Sequence, residues 1–464
     1  MSTSIRFERS ELIKWAITII APFLILLIPT GDVYTRTMSI TIALTACFLI
    51  WAAFELTNLI VPSLLWPVAL MVSGVVSYDV VYASYIGSDV FAVIALMTLA
   101  TTLDRIGLLK RIAFMVASKF KGTFASTCFA VFFATFVVAL ATFACGDAIM
   151  AALTFGAVKA FKLLKTRAGA VVMMAGMLGG ITMRMVIYYP FFVGAMTRSA
   201  QSVAPGFQIT QMDLLLYNWP VLIFGVLFLL FLTKFYVKKD DPLVLSLNSK
   251  DYYREELKKL GKVNKEEKIG MAALLGCMVM ILTYSWHGID YNFSFIIALG
   301  VLFVLKIADN DDIKGAPMGM ILFFAACMTI GSVCAATGIT TLVGDIISAA
   351  FANLSKSICL FGILGVGFLL NFCMTPMAMC AGFTGLIYEV AQGLGIAPMA
   401  GVMTFYFSTD MVLFPYEFLS FLFFYAYGGI KMADFVKLHA MKCIAFAVFF
   451  GVVFVPYWRL LGLS

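Results

Sequence analysis

Residues 123–161 read TFASTCFAVFFATFVVALATFACGDAIMAALTFGAVKAF. Two apolar arms flank Ala144-Cys145-Gly146-Asp147, where a glycine and a carboxylate interrupt the run. About 20 apolar residues cross a hydrocarbon core of about 30 Å as a helix, so the stretch is long enough for one or two crossings. Bases nevertheless crowd both of its flanks, in Arg105–Lys121 and in Lys159–Arg167. Such clusters stay on the cytoplasmic side. The chain is therefore expected to enter the membrane, turn near its centre and return. Non-helical backbone at that depth is tolerated only where protein buries it or it lines a wet cavity. The stretch predicts a helical membrane protein with a re-entrant hairpin.

The rest of the chain agrees. Of its 464 residues, 62% are hydrophobic and 12% charged, whereas a soluble protein has about 45–50% and about 25%. Long apolar runs recur at Trp15–Ile28, Met38–Ala53, Val90–Leu103, Leu214–Leu232, Ile269–Trp286, Phe293–Ile307 and Cys443–Tyr457. The first follows Arg6, Arg9 and Lys14 without an A-x-A cleavage site, and is taken as a membrane helix. With the N-terminus in the cytoplasm, 27 Lys and Arg fall inside, including Lys431–Lys442, and four fall outside: Arg36, Arg198, Lys356 and Arg459. Arg184 alone stands within an apolar segment. This bias orients about 11 spans plus two re-entrant hairpins in a plasma (inner) membrane, with the C-terminus outside. The net charge of +7 then faces the cytoplasm and requires no nucleic acid partner.

The expected organisation is an N-terminal segment and first helix (1–36), a first inverted repeat (37–233) with its hairpin near 123–161, a cytoplasmic linker (234–268), and a second inverted repeat (269–464) with its hairpin near 358–396. The linker contains a charged, helix-compatible run, Asp251–Lys259. The halves match faintly but in order. Leu103–Leu108 pairs with Cys334–Ile339 and Cys145–Ala148 with Pro376–Met379, both at an offset of 231; Arg184–Tyr188 pairs with Asp410–Phe414 at 226. Each half carries an interrupted hairpin followed by an interrupted helix. Carriers built from such repeats bind substrate at the breaks, near the bilayer midplane.

Several stretches resemble the divalent anion/sodium symporter family, the dicarboxylate, citrate and sulfate carriers, from about Phe54 to the C-terminus. Phe54-Glu55 with Pro62 is similar to its T-E-A-I-P stretch, Gly107–Ala113 to G-L-x-K-R-I-A, and Gly179-Gly180-Ile181-Thr182 to G-G-I-A-T. The family's S-N-T tips fall on Cys145-Gly146-Asp147 and Met374-Thr375-Pro376, and its T-P-P-N stretches near Ile187–Pro190 and Phe414–Glu417. The resemblance implies sodium-coupled import of a small anion by a homodimer whose transport domains slide like an elevator.

Charges within the membrane are costly, about 2.5–3.5 kcal/mol or more, and default to function. Four stand out: Asp147, Arg184, Asp410 and Glu417. Asp147, beside Cys145 and Gly146, is expected to hold a coupling ion; alternatively it caps the second hairpin arm. Arg184 presents a planar donor fork suited to a carboxylate or sulfate; alternatively it pairs with Asp410. Asp410 and Glu417 each suit a cation or a proton, and Glu417 alternatively marks the inner membrane edge. Sodium at Asp147 and Asp410 is the metal expectation. Thr182, Tyr188, Thr375, Ser408 and Thr409 are the polar companions expected to line the substrate, although hydroxyls often serve only local backbone.

Other features carry no chemistry. His287 and His439 are placed at membrane edges, the ten cysteines form no C-x-x-C pair, and Gly362, Gly365 and Gly367 suit helix packing. Asn292-Phe293-Ser294 and Asn353-Leu354-Ser355 are chance glycosylation matches. No Walker motif, haem pair or nucleophile triad appears, so no cofactor and no enzyme is expected. A channel would need repeated polar rings. What remains is an ion-coupled secondary carrier of a small organic anion of the carboxylate class, driven by sodium or protons. The alternative is a proton-coupled or exchange carrier of an amino-acid-like zwitterion.

Overall fold

The computed structural model describes residues 9–54, 56–120, 122–237, 249–316, 318–351, 354–372 and 375–463. Glu55, Cys373 and Met374 at the expected second tip, Asn353, and residues 238–248 of the linker lie outside them. Every regular element among the described residues is helical. Among the described residues, three helical stretches are long and apolar enough to cross a membrane by themselves: Phe124–Ala141, Met318–Ala336 and Met432–Leu460. Two bent pairs pass when joined, Val90–Arg105 with Leu108–Ala117 at 68° and Gln211–Asn218 with Pro220–Tyr236 at 50°. Other apolar runs appear as shorter helices, such as Arg36–Ala52, Ile60–Val72 and Asn292–Val304.

The chain folds into two compact units, each drawn from both sides of the linker. One comprises Met1–Val90, Phe191–Gln208 and Pro317–Thr409; the other comprises Phe91–Pro190, Ile209–Ala316 and Asp410–Ser464.

The second unit contains the first hairpin, Phe124–Ala141 and Asp147–Ala160, with Phe143 and Ala144 at its turn in the left-handed region (φ 47° and 63°). The helix Arg167–Arg184 packs on it, buried from Ala168 to Arg184. Small residues allow the approach. A Cβ on Gly179 would overlap the Phe132 carbonyl and the Thr135 hydroxyl, and one on Gly180 would stand 3.1 Å from Met150. Gly179 and Gly180 thus lie at the seam between this helix and the hairpin.

The Gly107–Ala113 stretch also has a structural role. Gly107 (φ +81°) turns the chain into Leu108–Ala117, where Arg111 is buried. Its guanidinium donates to Glu267 Oε1 (2.8 Å) and to the carbonyls of Gly261 (2.8 Å) and Leu260 (2.9 Å). The linker is accordingly more than a solvated tether. Its charged run forms a helix, Ser249–Lys259, whose buried Tyr253 lies 6.5 Å from Phe114 and 6.3 Å from Phe161. Arg111 fastens the exit of that helix.

The first unit contains the second hairpin, Lys356–Leu370 and Pro376–Gly393, and the helix Pro398–Ser408. Its core joins Ile363, Met379, Ile387 and Phe405. A Cβ on Gly367 would overlap Ser408, which brings the hairpin close to the end of the following helix. Both halves of the chain therefore contain a helical hairpin followed by a helix that stops at a polar break.

Candidate functional site

Arg184 ends its helix, and the chain continues irregularly through Met185–Tyr189 before Pro190. A broken helix leaves carbonyl and amide groups without ladder partners. Two side chains on Gln211–Asn218 meet that demand. The Tyr188 amide donates to Gln211 Oε1 (2.6 Å), Gln211 Nε2 donates to the Val186 carbonyl (2.8 Å), and Asn218 Nδ2 donates to that of Met185 (2.9 Å). Sequence reading missed both amides. The available signal was weak, two polar residues at the entrance to an apolar run.

A second break follows Ser408. Asp410–Phe414 is irregular, Pro415–Glu417 forms one tight turn, and Leu419–Ala426 resumes as helix. Pro415, which has no N–H to donate, opens that turn. Within the second unit the two breaks meet. Arg184 Nη2 lies 3.6 Å from Asp410 Oδ1, and both side chains are largely buried. The guanidinium also covers the Phe418 ring, 4.3 Å from its centroid. The Arg184–Asp410 pair, weighed above as the alternative to anion binding, is present in this state of the protein.

Asp410 has a second and closer partner. Lys442 Nζ lies 3.0 Å from Asp410 Oδ2 and 2.6 Å from the Asp410 carbonyl oxygen. This corrects the charge assignment: Lys442 is no cytoplasmic loop base but a buried cation on Met432–Phe449, only 2% exposed. The topology count misplaced it because it lies close in sequence to Lys431 and Lys437. His439, one turn earlier, is also fully buried. It stacks on Phe435 (3.9 Å), meets Phe421 edge-on (4.9 Å), and its Nδ1 faces the Phe435 carbonyl at 3.0 Å.

Glu417 is buried, and its carboxylate accepts the amides of Phe414 (2.9 Å) and Leu413 (3.2 Å). It therefore ties down the turn after Asp410, within the electrostatic reach of Lys442. Asp147 begins the second hairpin arm, with Gly146 at the cap position, and accepts the Ser420 hydroxyl at 2.6 Å. It also feels the charge of Arg184. Beside it, the Tyr189 side chain reaches the Cys145 thiol. Thr182 is buried against Gly225. The second unit thus gathers Cys145, Gly146, Asp147, Thr182, Arg184, Tyr188, Asp410 and Glu417, and adds Lys442 and Ser420.

Thr375, Ser408 and, at its chain boundary, Thr409 belong to the first unit, where they serve local backbone. Thr375 caps Pro376–Gly393, Ser408 donates to the Phe405 carbonyl (2.6 Å), and Thr409 donates to that of Tyr406 (2.7 Å). Asn371 Nδ2 donates to the Ser408 carbonyl (2.7 Å). Among the described residues no group of three or more His, Cys, Asp or Glu side chains could hold a metal ion, and nine cysteines stand outside any disulfide.

These broken helices bear on a sequence match: residues 49–406 fit the family described as citrate transporter. The chain belongs to the citrate transporter family. This member is a polytopic helical membrane protein and a secondary transporter. Two solved structures share its fold. The Alcanivorax borkumensis YdaH transporter, whose crystal structure is described as revealing an unusual topology, has 12% identity and a TM-score of 0.55 over 82% of this chain and 88% of its own. Neisseria gonorrhoeae MtrF, described as illuminating a class of antimetabolite efflux pumps, has 13% identity and a TM-score of 0.52 over 79% and 81%. No curated protein matches by sequence. The family match contains Asp147 and Arg184 but ends before Asp410, Glu417, Ser420 and Lys442.

Proposed function

We propose that this citrate-transporter-family protein is an ion-coupled carrier of a small organic anion of the carboxylate class, with Arg184 as the anion grip. The observation that carries this is the meeting of Arg184 with Asp410 at two helix breaks, through an ion pair of 3.6 Å that is longer than a hydrogen bond. A carboxylate entering beside Arg184 gains charge-assisted, planar hydrogen bonds that Asp410 does not make at that distance. Asp410 meanwhile keeps the ammonium of Lys442, so releasing the guanidinium does not strand its charge.

The zwitterion alternative is less well supported. An amino-acid-like substrate needs an acid for its ammonium, and Asp410 already holds one from the protein. Asp147, on a hairpin tip with Ser420, is the position we assign to the coupling ion, sodium or a proton. Elevator movement in a homodimer, a plasma-membrane location and a cytoplasmic N-terminus complete the proposal; they rest on the resemblance to anion symporters and on the distribution of Lys and Arg.

The test is uptake of labelled citrate and of succinate into liposomes containing the purified protein, under inward sodium or proton gradients against a choline control. Arg184→Lys keeps the charge and loses the fork, and is expected to lower uptake about tenfold or more at low substrate, the worth of one or two charge-assisted hydrogen bonds. Uptake that is unchanged in Arg184→Lys and in Arg184→Gln would remove Arg184 from the site.

A further inference from the structure

We propose that Lys442 is a tethered cation that occupies the position beside Asp410 where a coupling sodium would bind, so that Asp410 itself takes no sodium. In carriers with broken helices, a sodium ion is held by unwound backbone carbonyls and helix C-terminal ends. Asp410 supplies such a set just past the end of Pro398–Ser408, with its own carbonyl oxygen and its carboxylate. Both oxygens are taken by one ammonium, at 2.6 Å and 3.0 Å. Sodium and an ammonium carry the same charge and seek the same oxygens. They cannot share one position.

The surroundings hold the ammonium there. Lys442 projects from the middle of a helix and is only 2% exposed. Its Nζ lies 5.2 Å from the Phe421 ring centroid; His439 and Cys443 are close along the same helix. The Cys443 thiol itself points at the Val412 carbonyl, 3.8 Å away, which leaves Asp410 to Lys442. Glu417, the nearby acid, is engaged by two backbone amides. A buried ammonium without an acid is strongly unfavourable, so Lys442 has no better place to go. A covalently attached cation also acts at a high effective concentration, whereas sodium must be captured from solution.

A mechanistic consequence follows. Asp410 stays neutralised whether Arg184 is on it or on a substrate, and the charge balance at this break needs no ion from solution. Sodium dependence of transport would have to arise elsewhere, with Asp147 as the position already assigned to the coupling ion. The inference deepens the carrier reading and takes from it the role of this break as a binding site, but its test contains no substrate and succeeds or fails independently of uptake.

The experiment is thermal unfolding of the full-length purified protein in sodium chloride and in choline chloride at equal ionic strength. It compares the native chain with Lys442→Met, Asp410→Asn and the double variant. The native protein and Asp410→Asn are expected to show the same difference between the two salts. Lys442→Met vacates the position and is expected to gain a saturable, sodium-specific rise in midpoint that the double variant lacks. Lys442→Gln, which keeps a donor for Asp410 but loses the charge, is measured alongside so that the comparison survives if the methionine variant does not fold. A sodium-specific rise in the native protein that Asp410→Asn abolishes would overturn the inference. So would the absence of any Asp410-dependent gain in both Lys442 variants.

Discussion

Asp410→Asn removes the one acid shared by two buried bases, and its cost can be worked from the geometry. The carboxylate lies 3.0 Å from Lys442 Nζ and 3.6 Å from Arg184 Nη2. At an effective dielectric constant of about 20 these separations correspond to about 5.5 and about 4.6 kcal/mol of attraction. Folding does not gain that sum, because all three charges lose hydration. Deleting one partner of a buried pair instead costs about 3–5 kcal/mol, most of it the penalty of the charge left behind. That figure is the expected loss for Asp410→Asn, and Lys442→Met should fall toward its lower end because Arg184 remains beside the acid. The double variant removes the stranded ammonium together with its acid. It should be more stable than the sum of the single losses allows, by about 2–3 kcal/mol of coupling. Unfolding of the four proteins in one detergent, by denaturant or heat, measures the cycle. Single losses that add to within about 0.5 kcal/mol would show that the pair does not act as a unit, and the account of Lys442 would fail with it.

Two further perturbations probe the frame around the site. Gly179→Ala places a methyl group against the Phe132 carbonyl, which is backbone and cannot rotate away; a loss of about 1–3 kcal/mol in unfolding and reduced uptake are expected. Gly156→Ala, in Asp147–Ala160 with nothing within 4 Å of the added carbon, should instead be neutral or stabilise by about 0.4–1 kcal/mol. Elsewhere in the second unit, Arg105 donates to both carboxylate oxygens of Asp312 at 2.7 and 2.8 Å. Burial pushes that carboxyl up, but the bonds from Arg105, the Asp309 backbone and Thr102, with the charge of Arg105, outweigh it and hold it below the ordinary carboxylate range. Its stabilising contribution is therefore present above the unfolded value, near pH 4, and is lost as pH falls further. The unfolding midpoint of the native protein should drop more steeply below pH 4 than that of Asp312→Asn, and parallel curves would contradict the assignment.

The sequence by itself determined the solvent this protein folds in and the helical class that follows. Hydropathy and the 27 to 4 distribution of bases are summed over hundreds of residues, so errors at single positions hardly matter. It also located the breaks. Gly146 with Asp147, Arg184 after an apolar helix, and Pro415 between Asp410 and Glu417 are local interruptions, and the backbone obeys them locally. What it left open was which charges meet. Arg184 and Asp410 are more than 200 residues apart, and a lone base in an apolar run is compatible with either a substrate or an acid as its partner. The fold brings Arg184 within 3.6 Å of Asp410, a meeting that neither local stretch of sequence encodes.

Lys442 shows the limit most clearly. In sequence it is the third base of a short cluster, and a charge count sends it to the cytoplasm. In the fold it is the counter-charge of Asp410, because Met432–Phe449 continues helical past Lys437 and turns this one side chain inward. Likewise the Glu417 carboxylate accepts a backbone amide, Thr375 caps a helix and Ser408 donates to a backbone carbonyl, bonds that residue type alone does not specify. Gln211 and Asn218, unremarked in the sequence, fasten the Arg184 break. Residue type tells which bonds a side chain is able to make. Which of them it makes depends on distances of a few ångströms between segments far apart in the chain, and only tertiary packing sets those.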